Sequence, residues 1–179
     1  MNWTIGKKMA GAFGAISLVV LLFSFFVMDE LYEFEYEAKN YSSVQDQLII
    51  GNKLQFEIAR TQELFTEASL IKDRSEIENK AEPIFEMAME HIVEWENLNS
   101  ESAEHIAKLE RLRTDFQKMH DMGIEMFDSY LVNSNAGDKK LHEFNEISER
   151  VFEEIKKIVD EETAKGEEAV NEMIRVSAS

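Results

Sequence analysis

Residues 6–30 read GKKMAGAFGAISLVVLLFSFFVMDE: two lysines, a run of twenty residues from Met9 to Met28 without a charge, then acid. A helix of that length spans about 30 Å, the thickness of a bilayer's hydrocarbon core. The run ends in bulky residues with no small-x-small cleavage site behind it, so it does not read as a removable signal peptide. A helix apolar on every face is also a poor core helix for a small domain. Lys7 and Lys8 precede the run, and Asp29, Glu30, Glu33, Glu35 and Glu37 follow it. By the positive-inside rule this order predicts a cytoplasmic N-terminus at 1–8, a transmembrane signal anchor at 9–28 and an extracytoplasmic remainder at 29–179.

Outward from the run, the composition narrows the fold class. The 179 residues include one proline, Pro83, and seven glycines, with 44% hydrophobic and 31% charged residues. That mixture suits long amphipathic helices better than a turn-rich β fold and is enough for one all-α domain. No cysteine is present, which excludes disulfides, thiolate metal sites and a cysteine nucleophile. The formal net charge of −17 becomes −19 once the two leading lysines are set aside. Such a surface repels nucleic acid and anionic headgroups.

Helical spacing dominates after the anchor. A first helix over about 29–72, continuous with the membrane helix, carries Leu31, Phe34, Ala38, Tyr41, Leu48, Ile58 and Phe65 on a drifting stripe. Ser75 followed by Glu78 fits a capping box and opens a second helix over 75–98. Its seam reads Ile77, Ala81, Ile84, Ala88, His91, Trp95 and Leu98, steps of four and three, with Pro83 marking either a kink or a fresh start. A third helix over 102–132 repeats the alternation from His105 through Leu109, Leu112, Phe116, Met119, Gly123 and Met126 to Tyr130. VNSNAGD breaks it, Asp138 is placed to cap a fourth helix over 138–178, and that helix carries Leu141, Phe144, Val151, Ile155 and Ile158. Short connections between such helices predict an antiparallel up-down-up-down four-helix bundle.

A basic leader NWTIGKKMAGAFGA, a signal anchor, about 150 residues in four helices and the closing EEAVNEMIRVSAS together resemble the N-terminal sensor region of methyl-accepting chemotaxis proteins, the bacterial chemoreceptors. The resemblance implies a homodimer in the bacterial inner membrane with its sensor bundle in the periplasm. It also implies a second membrane helix after Ser179, and a small-molecule ligand whose binding shifts the fourth helix and so signals to a cytoplasmic part. It implies neither catalysis nor a cofactor. The same module on a sensor histidine kinase, a ligand-free tethered helical scaffold, and a metal- or haem-binding bundle are the competing readings.

Amino-acid-sensing members of that family grip a ligand carboxylate with arginines on the first helix. Here Arg60 is the only arginine of the first extracytoplasmic helix, which weakens an aspartate-type site. Around it Asn52, Gln55, Thr61, Gln62 and Thr66 interrupt the apolar stripe. Such amides either bond a ligand or set dimer register. Counting about 12 residues down from the outer end of the first and fourth helices places Arg60 level with Ser148 to Arg150. The candidate ligand set is therefore Arg60, Gln62, Asn52, Gln55, Asn145 and Ser148. A weaker alternative uses KMHDM, where Met119, His120 and Met122 offer soft ligands suited to copper. A carboxylate di-iron site is excluded, because none of the four histidines has a glutamate three residues before it. No P-loop, dinucleotide-binding glycine motif or nucleophile motif is present.

Overall fold

The computed structural model describes the backbone of residues 5–100 and 102–177, with side chains at 5–16, 29, 30, 33, 176 and 177 outside the description. The described residues are helical apart from short connections, without a strand: α1 (Ile5–Ile71), α2 (Arg74–Glu76), a π-helical turn (Ile77–Ala81), α3 (Glu82–Leu98), α4 (Ala103–Val132) and α5 (Ser134–Ser177).

Local chemistry sets each boundary. Lys72 takes a left-handed conformation, φ 59°, and the Asp73 N–H donates back to the Ala68 carbonyl at 3.1 Å, closing the last turn of α1. Asp73, not Ser75, then caps the next helix: its carboxylate accepts the Ser75 N–H at 2.9 Å and the Ser75 hydroxyl at 2.7 Å. Ser75 is not the cap because it already lies inside the helix, which begins at Arg74. Of the two expectations for Pro83 the fresh start comes closer, since regular α3 begins one residue before it. The chain passes through a π turn whose Glu82 N–H reaches the Ile77 carbonyl, and Pro83 falls in the first turn of α3. There a missing donor costs little, since first-turn N–H groups have no intrahelical acceptor. Ser102 caps α4 by accepting the His105 N–H at 3.3 Å. Asn133 caps α5 by accepting the Ala136 N–H at 2.9 Å, four residues earlier than the expected start. Asp138, the expected cap, instead accepts the Tyr130 hydroxyl at 2.8 Å.

The chain divides into two compact units, residues 1–42 with 167–179, and residues 43–166. The larger unit holds a core supplied by α1, α3, α4 and α5, an arrangement compatible with a four-helix bundle. On α4 every seam residue from His105 to Tyr130 is buried, as the spacing predicts. Of the second seam Ile77, Ala81, Ala88 and Trp95 are buried as the spacing predicts, but Phe85 and Ile92 take the inward places expected for Ile84 and His91, and Leu98 is exposed. Packing Phe85 and Ile92 inward removes more apolar area from water than Ile84 and His91 would.

In the smaller unit Leu31 and Phe34 are exposed. The anchor expected at 9–28 is corrected here. Among the described residues no helix is long and apolar enough to cross a membrane. Residues 9–16 lie outside the described side chains. The described residues 17–28 belong to α1. Beyond them α1 turns acidic. The inner-membrane placement and the periplasmic location of the remainder, which rested on that anchor, fall with it.

Helix contacts in the larger unit are close where side chains vanish. A Cβ on Gly123 would stand 2.7 Å from the Phe65 ring, and one on Gly51 would stand 2.8 Å from the Trp95 ring. Gly123→Ala therefore lowers unfolding free energy by about 1–3 kcal/mol from overpacking, outweighing a helix-propensity gain of about 1 kcal/mol. Urea unfolding monitored by circular dichroism checks this; an unchanged or raised midpoint contradicts the close approach.

Candidate functional site

Core packing of α1 decides where its polar set points. Thr61, Leu64, Phe65 and Ala68 are buried, so Gln62 and Thr66 flank the core at the edge facing α5. There they line a surface groove with Ala59, Glu63, Leu141 and Asn145. The structure thus brings Gln62 and Asn145, residues from two different helices, to one groove. Arg60 does not line it: Nη1 lies 2.5 Å from Glu63 Oε2 on the same helix. Ser148 is fully buried, and its hydroxyl donates to the Phe144 carbonyl at 2.8 Å, the usual fate of a serine inside a helix. Asn52 is exposed and Gln55 half-buried, two or more turns from Gln62 along α1. Glu63 and Glu67 on the groove's rim favour a neutral polar or cationic ligand over an anion.

Three histidines meet glutamates from other helices. His91 Nδ1 on α3 lies 2.9 Å from Glu57 Oε2 on α1, a pairing that requires the Nδ1–H tautomer or the charged ring. His120 Nε2 on α4 lies 3.0 Å from Glu82 Oε2 on α3, with its ring stacked on Phe85 and edge-on to Phe65. His105 Nδ1 on α4 lies 3.3 Å from Glu162 Oε1 on α5, both residues buried. Lys165 donates to the same Glu162 oxygen at 2.6 Å, while His105 Nε2 and Glu162 Oε2 are buried without a protein hydrogen-bond partner. Nearby, the Trp95 indole N–H donates to the side-chain carbonyl oxygen of Gln47, Oε1, at 3.3 Å.

These pairs account for the residues of the metal alternative. His120 has its Nε2 on Glu82, Met119 is fully buried in the core, and Lys140 Nζ approaches Met122 Sδ at 3.9 Å. Among the described residues no group of three or more histidine, aspartate or glutamate side chains is placed to hold a metal ion. The pairing of buried histidines with glutamates escaped the sequence reading, although Glu162 carried a signal: it continues the apolar seam of Val151, Ile155 and Ile158 at helical spacing. A carboxylate on a core face demands a partner.

Compared with protein-family profiles, with curated proteins and with solved structures, the chain shows no match.

Burial pushes the His105 pKa below its ordinary value, and the Glu162 carboxylate pulls against that shift without overcoming it. With the folded value below the unfolded value of about 6.5, the unfolded chain binds the extra proton. The stability this group contributes is fully present above about pH 6.5 and declines as pH falls below it, by at most about 1.4 kcal/mol per pH unit. Denaturant midpoints measured between pH 7.5 and 5.5 should fall with pH, and His105→Gln, which does not titrate, should flatten that fall. Parallel curves for the two proteins would assign the dependence to other groups.

Proposed function

We propose that the chain is the ligand-sensing module of a chemoreceptor-type signalling protein, acting as a homodimer and without a catalytic step or cofactor. In this reading α1, α3, α4 and α5 form an antiparallel up-down-up-down four-helix bundle, and a small molecule bound at its surface shifts α5 to signal.

The observation that carries the reading is a stripe on α1. Ile49, Phe56 and Leu70 are 53%, 69% and 60% exposed and stand at multiples of seven residues, with Asn52, Ala59, Glu63 and Thr66 completing the heptad positions between them. The other face of this same helix is core. An unpartnered a/d stripe suits a second α1, and the polar residues within it suit register selection. The Gln62–Asn145 groove shares Ala59, Glu63 and Thr66 with the stripe. A ligand there would contact α1 and α5 beside the pairing surface, so differential affinity of a few kcal/mol for one dimer arrangement would suffice to signal. The acidic rim points to a neutral polar or cationic small molecule.

Two linked measurements test this. Sedimentation equilibrium should show a dimer whose dissociation constant rises at least about 10-fold in Phe56→Glu, with helicity unchanged. A thermal-shift screen of amino acids, organic acids and amines should yield a stabilising ligand whose effect is lost in Gln62→Ala. A wild-type protein that stays monomeric at high concentration and responds to no ligand would remove the proposal.

A further inference from the structure

A groove between α4 and α5 departs from the charge of the rest of the chain. Arg111, Lys118 and Arg150 line it together with Glu110, Thr114 and Asp115, and with Glu154 beside Arg111 three cations meet three carboxylates, a local balance in a protein of net charge −17.

The two arginines are held reciprocally. Arg111 on α4 places Nε 2.8 Å from Glu154 on α5, and Arg150 on α5 places Nε 3.4 Å from Asp115 on α4. Each arginine's partner sits one turn along from the other arginine, at i and i+4 on both helices. Asp115 is 7% exposed, lies off the apolar seam of α4, and also accepts from Lys118 Nζ at 2.7 Å. A buried carboxylate on that floor is costly unless paired. Asp115 thus pairs with two of the groove's three cations, and Glu154, both of whose oxygens lack a hydrogen bond, lies within ion-pair range of the third.

Attachment through Nε leaves the paired Nη groups of each guanidinium, the fork that binds oxyanions bidentately. Two such forks in one groove call for four acceptor oxygens. A tetrahedral phosphate group supplies all four in a single anion, with Lys118 adding a compact positive charge. We propose that the α4–α5 groove is a binding site for a phosphate-type dianion, with Arg111 and Arg150 as its bidentate donors. Asp115 and Glu154 are positioning residues that hold those forks. The site goes beyond the sensory reading and stands whether or not α1 pairs with a second copy.

The full chain, titrated at low ionic strength with inorganic phosphate, with glycerol 3-phosphate and with succinate, tests the site by calorimetry and by amide shifts of Arg111 and Thr114. Saturable binding of inorganic phosphate, of the phosphomonoester or of both supports it, and their relative affinity tells free phosphate from a phosphorylated metabolite. Arg111→Gln and Arg150→Gln should each weaken binding about 10-fold. Lys118→Gln, which leaves the Arg150–Asp115 pair in place and guards against misfolding of the arginine variants, should weaken it about 3-fold. Arg113→Gln, an equal charge change on α4 where Arg113 faces Glu96 at 3.4 Å, should change it less than about 2-fold. Absence of saturable binding by both phosphates, equal weakening in Arg113→Gln, or tighter binding of succinate than of either phosphate would overturn the proposal. None of these results bears on dimerisation through α1, so the two readings fail separately.

Discussion

The larger unit depends on one close approach: the Phe65 ring of α1 lies where a side chain on Gly123 of α4 would otherwise stand. From that position Phe65 meets His120 of α4 edge-on, with ring centroids 5.3 Å apart, and Phe144 of α5 at 6.2 Å. His120 in turn stacks on Phe85 of α3 at 4.1 Å. Four helices are thus joined through one aromatic cluster, and all three phenylalanines are buried. Burying each such ring stabilises by roughly 1.5–3 kcal/mol, so the cluster fixes the rotation of every helix it touches.

That rotation decides the polar chemistry. Once Phe65 faces inward, Gln62 and Thr66 flank the core beside α5, Arg60 is left to Glu63, and Ser148 is closed inside. Once Phe85 and Trp95 face inward on α3, His91 is placed against Glu57. Charge is handled by pairing across helices rather than by exclusion. His105 with Glu162, His120 with Glu82, and Arg150 with Asp115 each place a charged or titratable group beside its counterpart on another helix. Such pairs contribute little net stability relative to apolar residues, but removal of one member leaves the other buried and unpaired. They therefore act chiefly to fix register.

Much of this was legible in the sequence. The α4 seam from His105 to Tyr130 follows from spacing alone, because eight core residues alternating by three and four leave one possible inward face. On α3 Ala88 and Trp95 face inward as the spacing predicts, while Phe85 and Ile92 displace Ile84 and His91, because each pair is adjacent and both choices satisfy the period. Gln62 and Asn145 were named as candidates and share a groove; Arg60 and Ser148 were named with them and do not line it. The capping residues were missed in the same way: Asp73 and Ser75, or Asn133 and Asp138, are all competent caps, and only the hydrogen bonds formed in the fold choose between them. The length of the apolar run at 9–28 suggested a span, which the described part of α1 does not provide.

The sequence by itself determined that the chain is helical, that its surface is strongly acidic, and which residues of α4 share a face. Those properties depend on composition and on a period of 3.6, which are local. Only the tertiary structure decided which faces meet. The glutamate partners of the three histidines and the reciprocal pairs of the α4–α5 arginines come from residues 34 to 57 positions apart in the chain, brought together by helix rotation and register. Those are set by how Phe65, Phe85, Trp95 and Phe144 pack, and no single helix contains that information.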